Sequence, residues 1–212
     1  ALGGGVKLTG MPRGRICELY GEPSSGKTTL ALQIATEFQK LGEMVAYIDV
    51  ENCIEPEYLK ILGIDEDLLM LSQSSSGDEA LEIVDMVVRS GNFGLCVVDS
   101  VAALVPAAEL CGEMGEASVG LQARLMSSAL RKLTAITNKS ETTLLFLNQT
   151  RQKIGIAYGN PTTTSGGQSL KFYASIRMEM NRAAGGVIKD GDTALGITSK
   201  VTMVKNKLAP PF

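Results

Sequence analysis

The sequence predicts an α/β fold in which helices flank a mostly parallel, twisted sheet and an antiparallel hairpin extends the C-terminal end. Three observations lead to this prediction. Short strand-like runs alternate with longer helical stretches through the first two thirds of the chain. A glycine loop, GEPSSGKT, joins the first of these runs to the first helical stretch. The last third contains ASIRMEMNR and ITSKVTMVKNK, which a Gly and Asp turn region separates, as in a hairpin.

The strands of the parallel part are short apolar runs that glycine or polar residues bound. They are predicted at 15–20 (RICELY), 44–49 (MVAYID), 68–72 (LLMLS), 95–100 (LCVVDS) and 142–148 (TTLLFLN). Because helical stretches separate them, these strands are expected to form right-handed βαβ units around a largely parallel sheet.

The helices are recognised by apolar residues that recur at helical spacing. They are predicted at 27–41, 56–62 and 78–90. A Gly and Glu-rich loop at 109–118 follows the fourth strand, and after it comes an amphipathic helix of about 18 residues. We expect the buried stripe of that helix to consist of Leu121, Leu125, Ala129 and Leu133.

Composition limits the class of protein. With 212 residues, of which 44% are hydrophobic, we expect a single domain spanning 1–212. No apolar run approaches the roughly 20 residues that cross a bilayer, and the N-terminus lacks the pattern of a secretory signal. The four cysteines show no metal-binding spacing, which favours a reducing, cytoplasmic compartment. Histidine is absent and the net charge is −3, so imidazole chemistry is excluded and any site for a polyanion has to be local.

The glycine loop matches the P-loop pattern G-x-x-x-x-G-K-[ST], which binds nucleotide phosphates. Backbone N–H groups surround the β-phosphate, Lys27 reaches the β and γ oxygens, and the Thr28 hydroxyl ligates Mg²⁺. A plain glycine-rich turn is the alternative. The residues expected to bind ATP here are Gly21, Glu22, Pro23, Ser24, Ser25, Gly26, Lys27, Thr28 and Thr29.

Two carboxylates are candidates for the chemistry next to this loop. Asp99 ends the strand LCVVDS, where an acidic residue supports the metal, although an aspartate in this position is often only a helix N-cap. Glu51 follows the strand MVAYID at the expected carboxyl edge of the sheet and is the best candidate for activating the attacking water. An exposed loop carboxylate is the alternative for Glu51.

The segment after the fifth strand carries the information about a partner. A strand ends in Gln149 and is followed by about 18 residues without periodicity, a length that usually indicates function or disorder. Arg151, Lys153 and Tyr158 in this stretch combine cations with an aromatic ring, as in surfaces that bind a nucleic-acid backbone. We expect Gln149 to contact the γ-phosphate and to order or release the loop, while a mobile surface loop with scattered charges is the alternative.

Taken in order, several segments resemble the ATPase core of the bacterial RecA recombinases over essentially the whole chain. They are GEPSSGKTTL, VVDSVAAL, GEMGEASVGLQARLMSSALRKL, FLNQTRQKIG, GNPTTTSGG, LKFYASIRME and VKNKLAPPF. The resemblance implies a RecA-type P-loop NTPase that assembles as a helical filament on single-stranded DNA with ATP. Such filaments then pair with homologous double-stranded DNA and exchange strands in recombination and repair.

The resemblance also implies roles for individual residues. Catalytic or sensing roles fall on Lys27, Glu51 and Gln149, Mg²⁺ binding on Thr28 and Asp99, and the sides of the adenine ring on Glu55 and Tyr58. DNA contacts fall on the loops 109–119 and 150–167 and on Arg124, Arg131, Arg151, Gly166 and Gly167, with Val119 and Ile154 inserting between nucleotide triplets. Lys205 and Lys207 are expected to reach the ATP of an adjacent subunit, and Phe172 to lie at the subunit boundary.

Some features depart from the family pattern. Glu55 replaces a frequent Asp, Asn52 a frequent His, and Gln152 and Thr162 a Met and a Glu of the second DNA loop. The family's N-terminal helix and strand and its C-terminal domain are missing from these 212 residues, so we expect a core belonging to a longer parent. Two other functions stay open on the residues alone, a helicase-type motor of the same fold and a nucleotide-dependent regulatory DNA-binding module with little turnover.

Overall fold

The computed structural model describes residues 10–113, 120–152 and 162–209. The strands are β1 Ile16–Gly21, β2 Met44–Asp49, β3 Leu69–Ser72, β4 Phe93–Asp99, β5 Thr143–Gln152, β6 Thr162–Thr164, β7 Ile176–Asp190 and β8 Thr193–Asn206. The α-helices are α1 Lys27–Lys40, α2 Pro56–Ile61, α3 Gly77–Ser90, α4 Ala107–Leu110, α5 Leu121–Ser140 and α6 Ser169–Tyr173.

These strands form one twisted sheet with the order β3-β2-β4-β5-β1-β7-β8, and β6 pairs with β5. The pairs from β3 through to β7 are parallel, whereas β7 and β8 are antiparallel. The predicted fold class, a mostly parallel sheet with an antiparallel extension at its C-terminal end, is confirmed.

The register of the central strands brings their carboxyl ends to one edge of the sheet. Gly21 at the end of β1 lies opposite Gln149 of β5, and Asp49 at the end of β2 lies opposite Asp99 at the end of β4. In parallel sheets ligands bind outside this edge. The predicted site residues that end strands therefore share one location.

Hydrophobic residues cover both faces of the sheet, as a central parallel sheet requires. On one face Ile48, Val98 and Phe146 pack with residues of α3, α5 and α6, while on the other face Leu19 and Val97 pack with residues of α1 and α2. The two clusters fix the strands from both sides, so the polar carboxyl edge rests on a rigid scaffold.

The buried stripe of α5 differs from the predicted one. The buried side chains are Met126, Leu130, Leu133 and Thr137, so only Leu133 of the predicted set is fully buried. Leu125 and Ala129 are partly buried beside the cluster. A strict four-residue spacing drifts around a helix of 3.6 residues per turn, whereas the observed spacing of four, three and four residues stays on one face.

The loop predicted at 150–167 begins and ends as a two-stranded ladder. Strand β5 continues through Gln152, and Thr150 and Arg151 pair with Thr164 and Thr163 of β6. The residues are polar and carry no apolar alternation, so their pairing has no local sequence signature. In the other predicted loop, α4 spans its first residues.

Among the helices of the described ranges, none combines the length and the apolar character needed to cross a membrane.

Candidate functional site

The P-loop connects β1 to α1 through two residues with left-handed backbone conformations. Gly26 has a φ of 96° and Ser24 a φ of 56°, both in the left-handed region. A Cβ on Gly21 would lie 1.9 Å from the backbone oxygen of Met180 in β7, so no side chain fits there. The first glycine of the motif is thus required by the close approach of the neighbouring strand.

Lys27 lies folded over this loop at the start of α1. Its Nζ donates to the carbonyl oxygens of Gly21 at 3.2 Å and Glu22 at 2.7 Å. Burial lowers the pKa of Lys27, and the carboxylates of Asp99 and Glu51 act in the opposite direction. The ammonium group is therefore held at the loop by carbonyls that a phosphate can replace as partners.

Asp99 lies at the end of β4 with a side chain that is almost fully enclosed, since the residue is 3% exposed. Its Oδ2 accepts hydrogen bonds from Thr28 Oγ1 at 2.7 Å and from Tyr47 OH at 2.8 Å. Burial raises the pKa of Asp99, and these two hydrogen bonds lower it again in part. Both donors belong to other elements, so the N-cap alternative does not describe the contacts of this carboxylate.

Tyr47 did not enter the sequence-based site. It lies on β2, two residues before Asp49, and its side chain is buried in the core. A tyrosine in an apolar run is compatible with ordinary core packing, and only the register of β2 on β4 reveals the partner of its hydroxyl.

Three strand ends meet at Glu51. Its Oε1 accepts a hydrogen bond from Gln149 Nε2 at 3.0 Å and a short one from the Ser100 hydroxyl. Glu51 follows β2, Gln149 belongs to β5, and Ser100 follows β4. The glutamate is an exposed loop carboxylate, as the alternative expects, and it also accepts hydrogen bonds from two side chains of the cleft.

Together these groups surround a cleft of about 350 Å³ at the carboxyl edge of the sheet. The cleft is lined by Pro23, Ser24, Gly26, Lys27, Thr28, Thr29, Glu51, Asp99, Ser100 and Gln149. A groove of about 470 Å³ between α3 and α5 contains none of the predicted site residues. Most of the predicted P-loop residues thus converge in space with Glu51, Asp99 and Gln149, although these come from separate parts of the chain.

Two side chains beside the P-loop offer the oxygen ligands that a magnesium ion prefers. Thr28 and Asp99 present hard oxygen donors 2.7 Å apart beside the P-loop. In the described ranges no cluster of three or more His, Cys, Asp or Glu side chains is arranged to hold a metal alone. Mg²⁺ typically keeps several waters and binds through one or two protein groups together with substrate phosphates, which is the donor set available here.

Of the two predicted adenine residues, Glu55 directly precedes α2 and Tyr58 lies within it and contacts α1. Tyr58 OH and Thr29 Oγ1 form a hydrogen bond of 2.7 Å. Glu55 precedes α2, its backbone carbonyl accepts from the Tyr58 N–H at 3.0 Å, and its side chain is exposed. Tyr58 is thereby tied to the P-loop helix, and neither residue lines the cleft itself.

The two glycines predicted to contact DNA have a structural reason to be glycine. Gly166 and Gly167 have φ angles of 80° and 79°. A Cβ on Gly166 would lie 2.8 Å from Val101 Cγ1, and one on Gly167 would lie 2.8 Å from Ala123 Cβ. These close approaches join the base of the second loop to the start of α5 and to the turn after β4.

The predicted DNA-binding arginines occupy two elements. Arg151 is exposed on β5 and donates from Nε to Ser165 Oγ at 2.9 Å. Arg124 and Arg131 are exposed on α5, seven positions apart and therefore on one side of that helix. Val119 and Ile154, like Lys153 and Tyr158, lie outside the described residues.

A buried polar network under the second loop was missed by sequence reasoning. Asn148 Nδ2 donates to Glu18 Oε1 at 2.9 Å and to the Ser165 carbonyl at 3.1 Å, and Asn148 Oδ1 accepts from the Gln149 N–H at 2.9 Å. Glu18, which is fully buried, pairs with Arg177 Nε at 2.5 Å. One side chain therefore connects the core, the end of the loop and Gln149.

Lys205, Lys207 and Phe172 lie together near the ends of β8 and α6, and none of them lines the cleft. Lys205 Nζ donates to the carbonyls of Lys171 at 2.5 Å and Phe172 at 3.1 Å, and Lys207 Nζ donates to the Phe172 carbonyl at 3.0 Å. Burial lowers the pKa of Lys205, and the neighbouring cations Lys207 and Arg177 lower it further. The Phe172 residue is 70% exposed.

The sequence places this site in a family of known proteins. A family model described as the RecA N-terminal domain matches residues 1–212. Protein RecA of Streptomyces avermitilis and that of Streptomyces coelicolor are each 57% identical over 212 residues, which is 100% of this chain and 56% of each relative. Protein RecA of Clavibacter michiganensis is 55% identical over all of this chain and 58% of its own length.

A solved structure gives an independent comparison of the fold. The crystal structure of the RadB recombinase matches with a TM-score of 0.68 at 24% identity, covering 95% of this chain and 85% of that one. At this identity the likeness concerns the fold alone. The chain spans little more than half the length of the curated relatives it matches, and by family model and sequence identity it belongs to the RecA family.

Proposed function

We propose that this chain is the ATPase core of a cytoplasmic, DNA-dependent recombinase. In this proposal it binds Mg-ATP and single-stranded DNA, assembles into helical filaments, pairs the bound strand with homologous double-stranded DNA and exchanges strands. The observation that carries the proposal is the hydrogen bond between Gln149 and Glu51. It joins the residue proposed to activate water to the strand that continues directly into the second DNA loop.

Nucleotide binding is assigned to the P-loop. Backbone N–H groups of the loop from Gly21 to Thr29, in which only Pro23 has none to offer, and the Lys27 ammonium bind the phosphates, and Tyr58 and Glu55 flank the adenine. Thr28 and Asp99 would hold the magnesium ion, Asp99 partly through water. When bound, the metal neutralises negative charge on the β and γ oxygens.

Hydrolysis is assigned to Glu51 as the general base. In the geometry described above, Glu51 Oε1 is engaged by the Gln149 amide and the Ser100 hydroxyl. A γ-phosphate in the cleft offers Gln149 a second anionic acceptor, and a transfer of that amide to the phosphate leaves Glu51 Oε1 free of this hydrogen bond and available to accept a proton from the attacking water.

Coupling to DNA follows from the position of Gln149 on β5. The strand continues to Arg151, and Asn148 holds both the Gln149 N–H and the Ser165 carbonyl. A movement of Gln149 toward phosphate is therefore transmitted to both ends of the second loop, where Arg151, Gly166 and Gly167 are proposed to bind the strand together with Arg124 and Arg131 of α5. Val119 and Ile154 are proposed to insert between nucleotide triplets.

Assembly is assigned to the surface around Phe172. Lys205 and Lys207 lie beside this exposed ring and away from the cleft of their own protomer, so they are available to a neighbouring one. A cation supplied across a subunit boundary stabilises charge on the γ-phosphate in the transition state and makes hydrolysis depend on assembly.

The test uses the full-length protein and measures ATP hydrolysis with and without single-stranded DNA alongside homologous strand exchange. We expect Lys27→Ala to abolish ATP-dependent DNA binding, while Lys40→Ala, in which the exposed partner of Glu37 is removed, behaves as wild type. Wild-type DNA affinity in the Lys27→Ala protein contradicts the proposal. Unwinding without pairing indicates a motor, and DNA-bound filaments without hydrolysis indicate a regulatory module.

A further inference from the structure

The Asp99 carboxylate is held by two hydroxyl groups, only one of which belongs to the P-loop. Thr28 Oγ1 and Tyr47 OH donate to the same oxygen, Oδ2, at 2.7 and 2.8 Å. Within the described residues these are the hydrogen bonds that the carboxylate accepts, so Oδ1 keeps its capacity to accept from a water of a metal's hydration shell.

Packing fixes the Tyr47 hydroxyl in place. Tyr47 is 0% exposed, and its ring lies in the hydrophobic cluster that includes Leu32 and Val97. The register places Tyr47 opposite Val97 and Asp49 opposite Asp99, so the tyrosine and Asp99 are diagonal neighbours on adjacent strands. The ring cannot swing without repacking the core, and the hydroxyl is therefore a fixed donor.

We propose that Tyr47 is a positioning residue for the magnesium-binding carboxylate. Its hydroxyl fixes the orientation of Asp99 before the metal arrives, and this orientation sets the Mg²⁺ concentration at which nucleotide binds. The inference rests on the proposed nucleotide site but adds a residue that the P-loop motif does not contain. Groups that orient a metal ligand without touching the metal typically change metal affinity by about tenfold or more when they are removed.

A purely structural role for Tyr47 has a different signature. A buried hydroxyl needs a partner, and satisfying it through Asp99 affects the stability of the fold without any connection to the metal. In that case removal of the hydroxyl changes the thermal unfolding temperature and leaves the Mg²⁺ dependence of binding unaltered. The two roles are separated by a measurement of Mg²⁺ dependence in folded protein.

The experiment compares Tyr47→Phe with Tyr173→Phe in the full-length protein. Tyr173 is a partly buried tyrosine that packs on the core from α6 beside Ile16 at the start of β1, whereas Asp99 ends β4, so its variant removes the same atom at the opposite edge of the sheet. A fluorescent ATP analogue is titrated at fixed Mg²⁺ concentrations and in EDTA. We expect Tyr47→Phe to raise the half-saturating Mg²⁺ concentration by about tenfold, to bind the analogue as wild type in EDTA, and to recover wild-type binding in excess Mg²⁺.

A second measurement needs neither nucleotide nor metal. In EDTA, the change in unfolding temperature caused by Tyr47→Phe is compared between the wild-type and the Asp99→Ala backgrounds, and we expect it to be smaller in the latter because the acceptor is gone. Equal changes in both backgrounds, or a half-saturating Mg²⁺ concentration equal to that of Tyr173→Phe, overturn the inference. Wild-type protein without Mg²⁺-dependent nucleotide binding overturns the proposed function instead, whatever the variants do.

Discussion

The buried ion pair between Glu18 and Arg177 offers a strong test of how the second loop is anchored. Glu18 is 0% exposed, and its two oxygens accept from Asn148 at 2.9 Å and from Arg177 at 2.5 Å. The Arg177 guanidinium also lies 4.6 Å from the centre of the Tyr20 ring. Loss of either charged partner leaves the other charge enclosed without compensation.

The magnitude follows from this enclosure. Removing one member of a buried pair costs about 3 to 5 kcal/mol, so we expect Arg177→Met to lower the free energy of unfolding by that amount. For a chain of this size 1 kcal/mol corresponds to about 2 to 4 °C, which predicts a fall of about 6 to 20 °C in unfolding temperature. The double variant Glu18→Leu, Arg177→Met removes both charges, and its cost is that of one unpaired Asn148 amide hydrogen, about 1 to 3 kcal/mol.

The prediction is checked by thermal and urea unfolding of four proteins: the wild type, Glu18→Leu, Arg177→Met and the double variant. The matched control is Arg89→Met, which breaks an ion pair of the same 2.5 Å length with Asp85, but one whose side chains are 55% and 30% exposed. Such surface pairs contribute about 0.3 to 0.5 kcal/mol, so this variant is expected to unfold close to wild type. A double variant as unstable as the sum of its single variants would refute the reasoning, because it would show that neither charge depends on the other.

Three further predictions concern the cleft. Gly21→Ala places a methyl group 1.9 Å from the Met180 carbonyl and is expected to lower stability by more than the usual 1 to 3 kcal/mol of overpacking, whereas Gly196→Ala, which has open space, is neutral in urea unfolding. Gln149→Ala is expected to keep ATP affinity and to lose the stimulation of hydrolysis by DNA, which a steady-state assay measures. Burial raises the pKa of Asp99 above its ordinary 3.8. Between 3.8 and the raised pKa the folded chain therefore binds more protons than the unfolded chain, so wild-type stability falls as the pH rises through this range. Asp99→Asn should therefore unfold at a higher temperature than wild type at pH 7, with a smaller difference at pH 4 as measured by calorimetry without nucleotide.

Local patterns were sufficient to predict most of the fold. Strand β2 and helix α2 lie within a residue or two of their predicted positions, because apolar runs and their polar boundaries are local features. The pairing of Thr150 with Thr164 and the buried stripe of α5 were not predictable in the same way. Each depends on which neighbour an element meets, and that information is spread over the whole chain.

The site residues also differ in whether local sequence patterns identify them. The P-loop, Glu51 and Asp99 are recognisable because their chemistry needs fixed residue types at fixed spacing or at strand ends. Tyr47, Asn148 and the pair formed by Glu18 and Arg177 are polar residues inside strands, and a sequence does not state which partner a buried polar group has found. Register supplies that partner, and with it the connection between the cleft and the loop.

The antiparallel extension supports the P-loop. Ser199 of β8 donates to the Ser25 carbonyl at 2.7 Å, and Arg182 of β7 donates from Nε to the Ser24 carbonyl at 3.2 Å. Ser24 has a φ of 56°, a left-handed conformation that costs a non-glycine residue about 1 to 3 kcal/mol and persists only where surrounding contacts enforce it. The hairpin supplies those contacts, and Met180 leaves no room for a side chain at Gly21. The shape of the P-loop therefore depends on two strands that lie more than 150 positions further along the chain. The β8 strand that supports it also carries Lys205, and Lys207, the second lysine proposed to act on a neighbour, follows directly after β8.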